Sequence, residues 1–241
     1  MLDSLEPIKT TSLKDIFVTR LEELILSGEL KIGQKLPSER DLAEQLNVSR
    51  PVVHEGLVEL AARGMVTLKP RSGAIINDYR KQGSITLLSS LINYHKGTLE
   101  PRLFSSLLEM RIHLETEFAL LAAERHTADQ LKDLERHLKK EDRAMSEVSD
   151  YLYITDLDFD FHLLVAMATG NMIYPMILNS FKQVYTNLSS QFFKDETVTR
   201  RVFDFHRVLV DKIKAGNSRE AALIMKSMLE HGEEALRKLV K

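Results

Sequence analysis

The chain has 241 residues, of which 44% are hydrophobic and 28% charged, and its formal net charge is −2. This composition is that of a globular protein, and the length allows one large domain or two small ones. With no cysteine, disulfides and thiolate metal sites are excluded, so any metal would need histidine and carboxylate ligands. No apolar run approaches the roughly 20 residues of a membrane helix, and no signal-peptide pattern is present. We expect a soluble, cytoplasmic protein without a membrane role.

The first part of the chain predicts three helices followed by a β-hairpin. Apolar residues at helical spacing indicate helices over 12–27, over about 39–46, and from Ser49, which can cap the third helix, to a stop near Gly64. Residues 65–77 change to an extended pattern of two short strands around a turn. This order is typical of a winged helix-turn-helix, which we place at residues 8–78.

In such a unit the second helix of the helix-turn-helix enters the major groove, and the hairpin forms the wing. Cationic and hydrogen-bonding residues lie at the helix starts and at the wing turn, where glycine allows the backbone to approach DNA. The predicted DNA-binding residues are Arg40, Ser49, Arg50, His54, Lys69, Arg71 and Gly73. Any one of them alone is more simply a solvated residue beside a capped helix. Because the net charge is near zero, DNA would have to contact a local patch.

Residues 79–241 show only helical periodicity and predict an all-helical bundle, so the fold class is mainly α. The predicted helices cover 81–95, 102–125, 127–148, 150–169, 171–193, 195–215 and 218–239. No flexible linker is evident, so the helix over 81–95 is expected to join the two domains directly. The charged run at 132–143 predicts an exposed helix face. Met172, Met176 and the aromatic residues of 171–193 are expected in the core.

Asp158 and His162 are four residues apart and therefore share one helix face. One aspartate together with two or three histidines suits Zn²⁺ or Ni²⁺ and leaves a position open for a carboxylate ligand. The alternative is a buried ion pair or a polar network, since this spacing often arises by chance.

The stretch GELKIGQKLPSERDLAEQLNVSRPVVHEGLVELAARGMV resembles the winged helix of GntR-type bacterial repressors. The resemblance implies DNA contacts by Arg40, by Ser49 and Arg50 at the start of the recognition helix, and by the wing. Two positions depart from the usual pattern of that family. His54 stands where arginine is usual and Gly56 where alanine is usual, so a different base contact is expected.

The second domain is similar to the effector domain of the FadR branch of that family, through segments such as LLEMRIHLETEFALLAAE, DLDFDFHLLVAMATGN and FDFHRVLVDKIKAGN. The resemblance implies that Asp158, His162 and His206 are three ligands of a metal site. Met228 stands where the fourth ligand, a histidine, is usual, and His231 three residues later is a possible substitute. Arg111 matches an arginine that anchors anionic ligands, although a solvated or ion-paired arginine is the simpler alternative.

These observations predict a DNA-binding transcriptional repressor of metabolic genes that acts as a homodimer on a palindromic operator. An anionic effector would release it from DNA after binding among five residues: Arg111, Asp158, His162, Tyr185 and His206. Fatty acyl-CoA is the preferred effector, because NDYRKQGSITLL and the segment 171–193 are similar to fatty-acid-responsive members and Met228 weakens the metal site. A small carboxylate at the metal is the alternative. A metal-dependent enzyme is less consistent with the sequence, since no further general acid or base is evident and the winged helix would have no role.

Overall fold

The computed structural model describes residues 12–69, 73–84, 87, 101–147 and 150–239. The chain divides into two compact units, Met1–Gly97 and Thr98–Lys241. Over the described residues it is mainly helical, with eleven helices and one two-stranded sheet, which confirms the predicted fold class. None of the helices in these ranges is long and apolar enough to cross a membrane. The domain boundary at residues 78 and 79 stays a prediction.

The first unit contains four helices and a β-hairpin among its described residues. In chain order these are α1 (Leu13–Leu26), α2 (Glu39–Leu46), α3 (Arg50–Ala62), β1 (Val66–Lys69), β2 (Gly73–Ile76) and α4 (Tyr79–Gln82). The strands pair antiparallel, with Val66 opposite Ile76 and Lys69 opposite Gly73. A further bridge joins Lys35 to Ile75, so the segment before α2 lies beside the hairpin.

Short polar side chains set the boundaries of α1 and α2. The hydroxyl of Ser12 accepts a hydrogen bond from the amide of Asp15, and that of Ser38 accepts one from the amide of Asp41. Asn47 ends α2 in the left-handed conformation with φ 52°, which a short polar side chain tolerates. The tight turn between α2 and α3 follows from this residue.

The prediction that the Ser49 side chain caps α3 is wrong. Ser49 occupies the N-cap position, but its hydroxyl makes no capping hydrogen bond. Pro51 lies in the first turn and has no N–H, which removes one of the donors that a cap would satisfy. The exposed Ser49 side chain therefore does not cap the helix.

α1, α3 and the hairpin enclose the core of the first unit. Its buried residues include Phe17, Leu21, Val53, Leu57, Leu60, Met65 and Ile76. Gly56 lies within this packing, and a Cβ atom at this position would collide with the ring of Phe17. The contact between α1 and α3 thus explains a glycine where GntR-type sequences usually have alanine.

The second unit is a helical bundle. Its elements are α5 (Pro101–Arg125), α6 (Ala128–Ser146), α7 (Tyr151–Ala168), α8 (Ile173–Ser180), α9 (Lys182–Phe192), α10 (Glu196–Lys214) and α11 (Ser218–Leu239). α7 contacts α5, α6, α8 and α9, while α11 packs against α5, α9 and α10. Ten of the 18 residues of α7 are buried, so polar residues on this central helix are withdrawn from water.

The single helix predicted over 171–193 is two helices, which meet at Phe181. This residue has φ −96° and ψ 0°, and its amide donates to the carbonyl of Leu178 at 3.0 Å. The hydroxyl of Ser180 donates to the carbonyl of Ile177 at 2.6 Å and so competes with the backbone in the last turn of α8. The helix ends without a glycine or proline, and hydrophobic periodicity does not reveal such an end.

The helix predicted over 81–95 does not begin as expected. α4 starts at Tyr79 and ends at Gln82, and Gly83 is extended with φ −63° and ψ 139°. Glycine is a poor helix former, which favours an end at this position. Residues 85–86 and 88–100 lie outside the described ranges, and so does most of the predicted connection between the domains.

Candidate functional site

A groove on the first unit is lined by α2, α3 and the hairpin and has a volume of about 850 Å³. Five of the predicted DNA-binding residues line it: Arg40, Arg50, His54, Lys69 and Gly73. The side chains of Arg40 and Arg50 are 79% and 67% exposed, so they are accessible to a large ligand. Ser49 is exposed at the start of α3, and Arg71 lies outside the described residues.

Glu39 and Lys35 are among the groove residues that the sequence did not predict. One carboxylate oxygen of Glu39 lies 2.8 Å from His54 Nδ1, and the other lies 3.8 Å from an Nη atom of Arg50. Lys35 reaches the groove because its backbone pairs with Ile75 of the hairpin. Neither relation is visible in the sequence, since each joins residues far apart in the chain.

Asp158, His162 and His206 form a buried cluster in the second unit. Asp158 and His162 come from consecutive turns of α7, His206 comes from α10, and each is at most 2% exposed. One ligand atom from each residue lies within 4.8 Å of the others. Nε2 of His206 is 3.5 Å from Asp158 Oδ1, and Nε2 of His162 is 3.9 Å from it. The three residues that the resemblance assigned to a metal are therefore together.

A buried glutamate lies behind each histidine. His206 Nδ1 is 2.7 Å from Glu141 Oε1 on α6, and His162 Nδ1 pairs with Glu115 on α5. When a carboxylate accepts from Nδ1–H, the neutral ring directs an unprotonated Nε2 away from it, here toward Asp158. Nε2 of His206 has no hydrogen-bond partner among the described residues. This is the orientation in which histidine binds a metal ion.

Arg111 and Tyr185 lie against the same cluster. Nη2 of Arg111 on α5 donates to the hydroxyl of Tyr185 on α9 at 2.9 Å and lies 3.3 Å from His162 Nε2. Nε of Arg111 pairs with Glu115, and the hydroxyl of Tyr185 donates to Asp158. Arg111 thus makes the ion pair that the sequence offered as the simpler alternative to an anion-binding role. Its Nη1 makes no hydrogen bond within the described part of the chain, which leaves the two N–H groups of this atom for an anion.

The charges of this site follow from burial and from the neighbouring groups. Burial would raise the pKa of Glu115, but the contacts with Arg111 and His162 together outweigh burial and lower this pKa to about 2. Burial also opposes ionisation of Glu141, and its contacts with His206 and His137 together nevertheless lower the pKa of this carboxyl. Burial raises the pKa of Tyr185 well above its ordinary value. At neutral pH both glutamates are charged, and Tyr185 keeps its proton.

The prediction that 132–143 is an exposed helix face is wrong for three residues, the apolar Leu134 and the polar His137 and Glu141. His137 is 2% exposed and Glu141 is 1% exposed, because α6 is amphipathic and packs them against α7. His137 Nε2 lies 3.0 Å from the carbonyl oxygen of Leu157 and 3.3 Å from Glu141 Oε1. Their spacing of four residues, with Leu134 one turn earlier, was the available signal.

Two further expectations do not match the structure. Met172 and Met176 are 84% and 66% exposed and not in the core, because the short helix α8 lies at the surface and buries mainly Leu178. His231 is not among the clustered donor atoms. Its ring packs 6.2 Å from that of Phe205, and the residue lines a different cavity with Lys194.

A winged helix with exposed cations, together with a helical bundle that holds a buried polar site, defines the class of ligand-responsive DNA-binding regulators. The gntR family of bacterial regulatory proteins matches residues 15–76, and the FCD domain family matches residues 106–231. The chain therefore belongs to the GntR family, with an FCD effector domain. It is a DNA-binding transcriptional regulator and not an enzyme, which confirms the family and class predicted from the sequence.

Several relatives illustrate this membership. The HTH-type transcriptional regulator LutR of Bacillus subtilis is 30% identical over 88% of this chain and 96% of its own. A fatty acid metabolism regulator protein of Klebsiella pneumoniae is 27% identical over 80% of this chain and 78% of its own. Among solved structures, a GntR protein of Streptococcus agalactiae is 29% identical, with a TM-score of 0.50 over 93% of this chain and 99% of its own.

Proposed function

We propose that this regulator is released from its operator by a small carboxylate, which binds at Arg111 beside a divalent metal ion held by Asp158, His162 and His206. The observation that carries the proposal is the orientation of the two histidines. Each turns Nδ1 to a buried glutamate and Nε2 toward Asp158. A buried polar network without a metal does not require both imidazoles to present the same nitrogen to one carboxylate.

The three donors suit Zn²⁺ or Ni²⁺, since both ions bind imidazole and carboxylate. Such an ion would supply positive charge and an open position for a carboxylate ligand. Glu115 and Glu141 hold the two imidazole rings and make them better ligands. Met228 is buried in α11, and a thioether is a poor ligand for these ions, so three protein ligands would leave more than one position open.

Arg111 supplies the second part of the proposed carboxylate site. Its side chain is only 18% exposed, and Glu115 holds its Nε, so the orientation of the guanidinium is fixed. A fixed guanidinium binds a carboxylate through charge-assisted hydrogen bonds with little loss of side-chain entropy. The hydroxyl of Tyr185 keeps its proton and accepts a hydrogen bond from the guanidinium at 2.9 Å, which holds the guanidinium further.

Fatty acyl-CoA is the second candidate effector, favoured by an apolar cavity beside Arg111 and by the name of the Klebsiella relative. The cavity has a volume of about 60 Å³. At roughly 10 to 15 Å³ for each water-sized group, this volume holds about four to six such groups, far fewer than a long acyl chain needs. The geometry thus favours a small carboxylate over the acyl-CoA that the sequence suggested.

On the DNA side, we propose that the groove of the first unit contacts one operator half-site and that a homodimer reads two. One recognition helix contacts few bases, so a two-fold protein on a palindromic operator gains both affinity and specificity. Arg40, Arg50 and Lys69 would contact phosphates or base edges, with the wing beside them. His54, held by Glu39, would replace the arginine contact that is usual in the family.

Mass spectrometry of the purified protein under non-denaturing conditions tests this proposal, because it reports a bound metal, a bound acyl-CoA and the oligomeric state together. We expect a dimer with one divalent ion in each subunit after zinc titration, and loss of the ion in the His206→Ala variant. His126→Ala is the matched control, since among the described residues the His126 ring bonds only to the carbonyl of Ala122 in the preceding helix. Failure of the wild type to take up zinc or nickel would contradict the metal site.

A further inference from the structure

The apolar cavity beside Arg111 lies between α5, α8, α9 and α11. Two charged residues, Arg111 and Glu115, and the hydroxyl of Tyr185 lie at its polar end. The rest of its wall is almost entirely apolar and includes Leu107, Leu114, Phe118, Ile177, Phe181 and Leu188. The carboxylate of Glu115 is already engaged by Arg111 and His162. The cavity therefore has a cationic group at one end and apolar walls along the rest of its length.

We infer that the effector is a monocarboxylate with a short apolar tail, whose carboxylate pairs with Arg111 while the tail fills this cavity. The inference rests on the proposed function, because it takes Arg111 as the anchor of the carboxylate. The cavity volume of about 60 Å³ accommodates about four to six water-sized groups, so the best ligands have about five to seven carbons.

The composition of the wall also selects against dicarboxylates. Among the cavity residues, Arg111 is the sole cation, and it lies at the polar end. A second carboxylate at the far end of the ligand would lie against leucine and phenylalanine side chains without a cationic partner, which disfavours binding. Each methylene of an apolar tail instead gains affinity by leaving water, by about fourfold until the cavity is full.

Isothermal titration of the full-length, zinc-loaded protein with straight-chain acids from acetate to decanoate tests the inference. We expect affinity to rise by about fourfold per methylene to an optimum near hexanoate, and adipate to bind at least tenfold more weakly than hexanoate. Equal affinity for acetate, hexanoate and adipate would overturn the inference that an apolar tail fills the cavity, while leaving the proposed carboxylate site intact. If no acid binds, the carboxylate site and the inference both fail.

Two cavity variants make the test specific. Leu114→Ala enlarges the cavity and should move the optimum to longer acids, whereas Leu188→Phe reduces it and should move the optimum to shorter ones. Leu131→Ala is the matched control, because Leu131 is a half-buried leucine on α6 outside the cavity. If Leu114→Ala does not fold by circular dichroism, Ile177→Ala on the surface helix α8 replaces it. An unchanged optimum in folded variants would overturn the inference.

Discussion

The carboxylate of Glu39 contacts two side chains of the recognition helix, Arg50 and His54. With Nδ1 of His54 turned to Glu39, the other ring nitrogen is left for DNA. The contact of Glu39 with Arg50 is longer, at 3.8 Å, and the arginine side chain remains 67% exposed. An exposed ion pair of this kind is weak, so a DNA phosphate or guanine can replace it at little cost.

Arg50→Ala should weaken operator binding by about 1 to 3 kcal/mol per half-site, because it removes a charge-assisted contact to guanine or phosphate. Fluorescence anisotropy with a labelled duplex selected in vitro measures the loss. Arg200→Ala is the control, since Arg200 on α10 is also 67% exposed and also pairs with a glutamate. Equal affinity of the two variants, with unchanged circular dichroism, would contradict the assignment of the recognition helix.

Glu115 contacts both Arg111 and His162, so its removal should affect stability as well as binding. Glu115→Gln should lower the free energy of unfolding by about 3 kcal/mol at pH 7, because it leaves a largely buried guanidinium without its counter-charge. Urea denaturation measures this loss. Glu117→Gln, an exposed position on the same helix, should change stability by less than about 0.5 kcal/mol.

The same residue predicts a pH dependence. The pKa of Glu115 falls from 4.5 to about 2 in the folded protein, so its charge stabilises the fold fully above pH 4.5. This contribution is lost as the pH falls from 4.5 toward 2, because the unfolded chain then binds a proton that the folded one does not. The wild type should lose more stability over this interval than Glu115→Gln. An equal loss of stability in the two proteins as the pH falls from 4.5 toward 2 would contradict the ion pair.

At the element scale, the packing of α1 on α3 depends on Gly56. Gly56→Ala should destabilise the protein by about 1 kcal/mol, because overpacking against the Phe17 ring outweighs the better helix propensity of alanine. The melting temperature measures the change. In a protein that already carries Phe17→Leu, Gly56→Ala should lower the melting temperature by less than it does in the wild type, since the ring is absent. If the Gly56→Ala protein were more stable than the wild type, α1 would have moved to accommodate the added methyl group, and the packing argument would be wrong.

Elements with a strong local signal could be predicted from the sequence, and long-range relations could not. Ser38 and Asn47 determine the ends of α2 through neighbouring backbone groups, so the helix-turn-helix was predicted correctly. The end of α8 depends on Ser180, whose competition for carbonyls leaves no trace in hydrophobic periodicity. At the site, Asp158 and His162 share a helix face, whereas Glu141 reaches His206 from a helix 65 residues away in sequence. Such a pairing depends on how the helices pack.

At the scale of the whole molecule, a regulator that reads a palindromic operator must be two-fold symmetric. We expect light scattering after size exclusion to give twice the chain mass of 27.6 kDa at micromolar concentration. Operator binding should then saturate at two chains per duplex, and one half-site alone should bind much more weakly. A monomer that binds full and half operators with equal affinity would contradict this arrangement.

A small monocarboxylate at the Arg111 and metal site should release the operator. This release is measured by the anisotropy of the zinc-loaded protein on its labelled operator during titration with hexanoate. Operator affinity should fall by several-fold to about a hundredfold, which corresponds to a typical coupling of about 1 to 3 kcal/mol, and Arg111→Met should abolish the response. Release by long-chain acyl-CoA alone, or a response that survives in Arg111→Met, would contradict release by a carboxylate at this site.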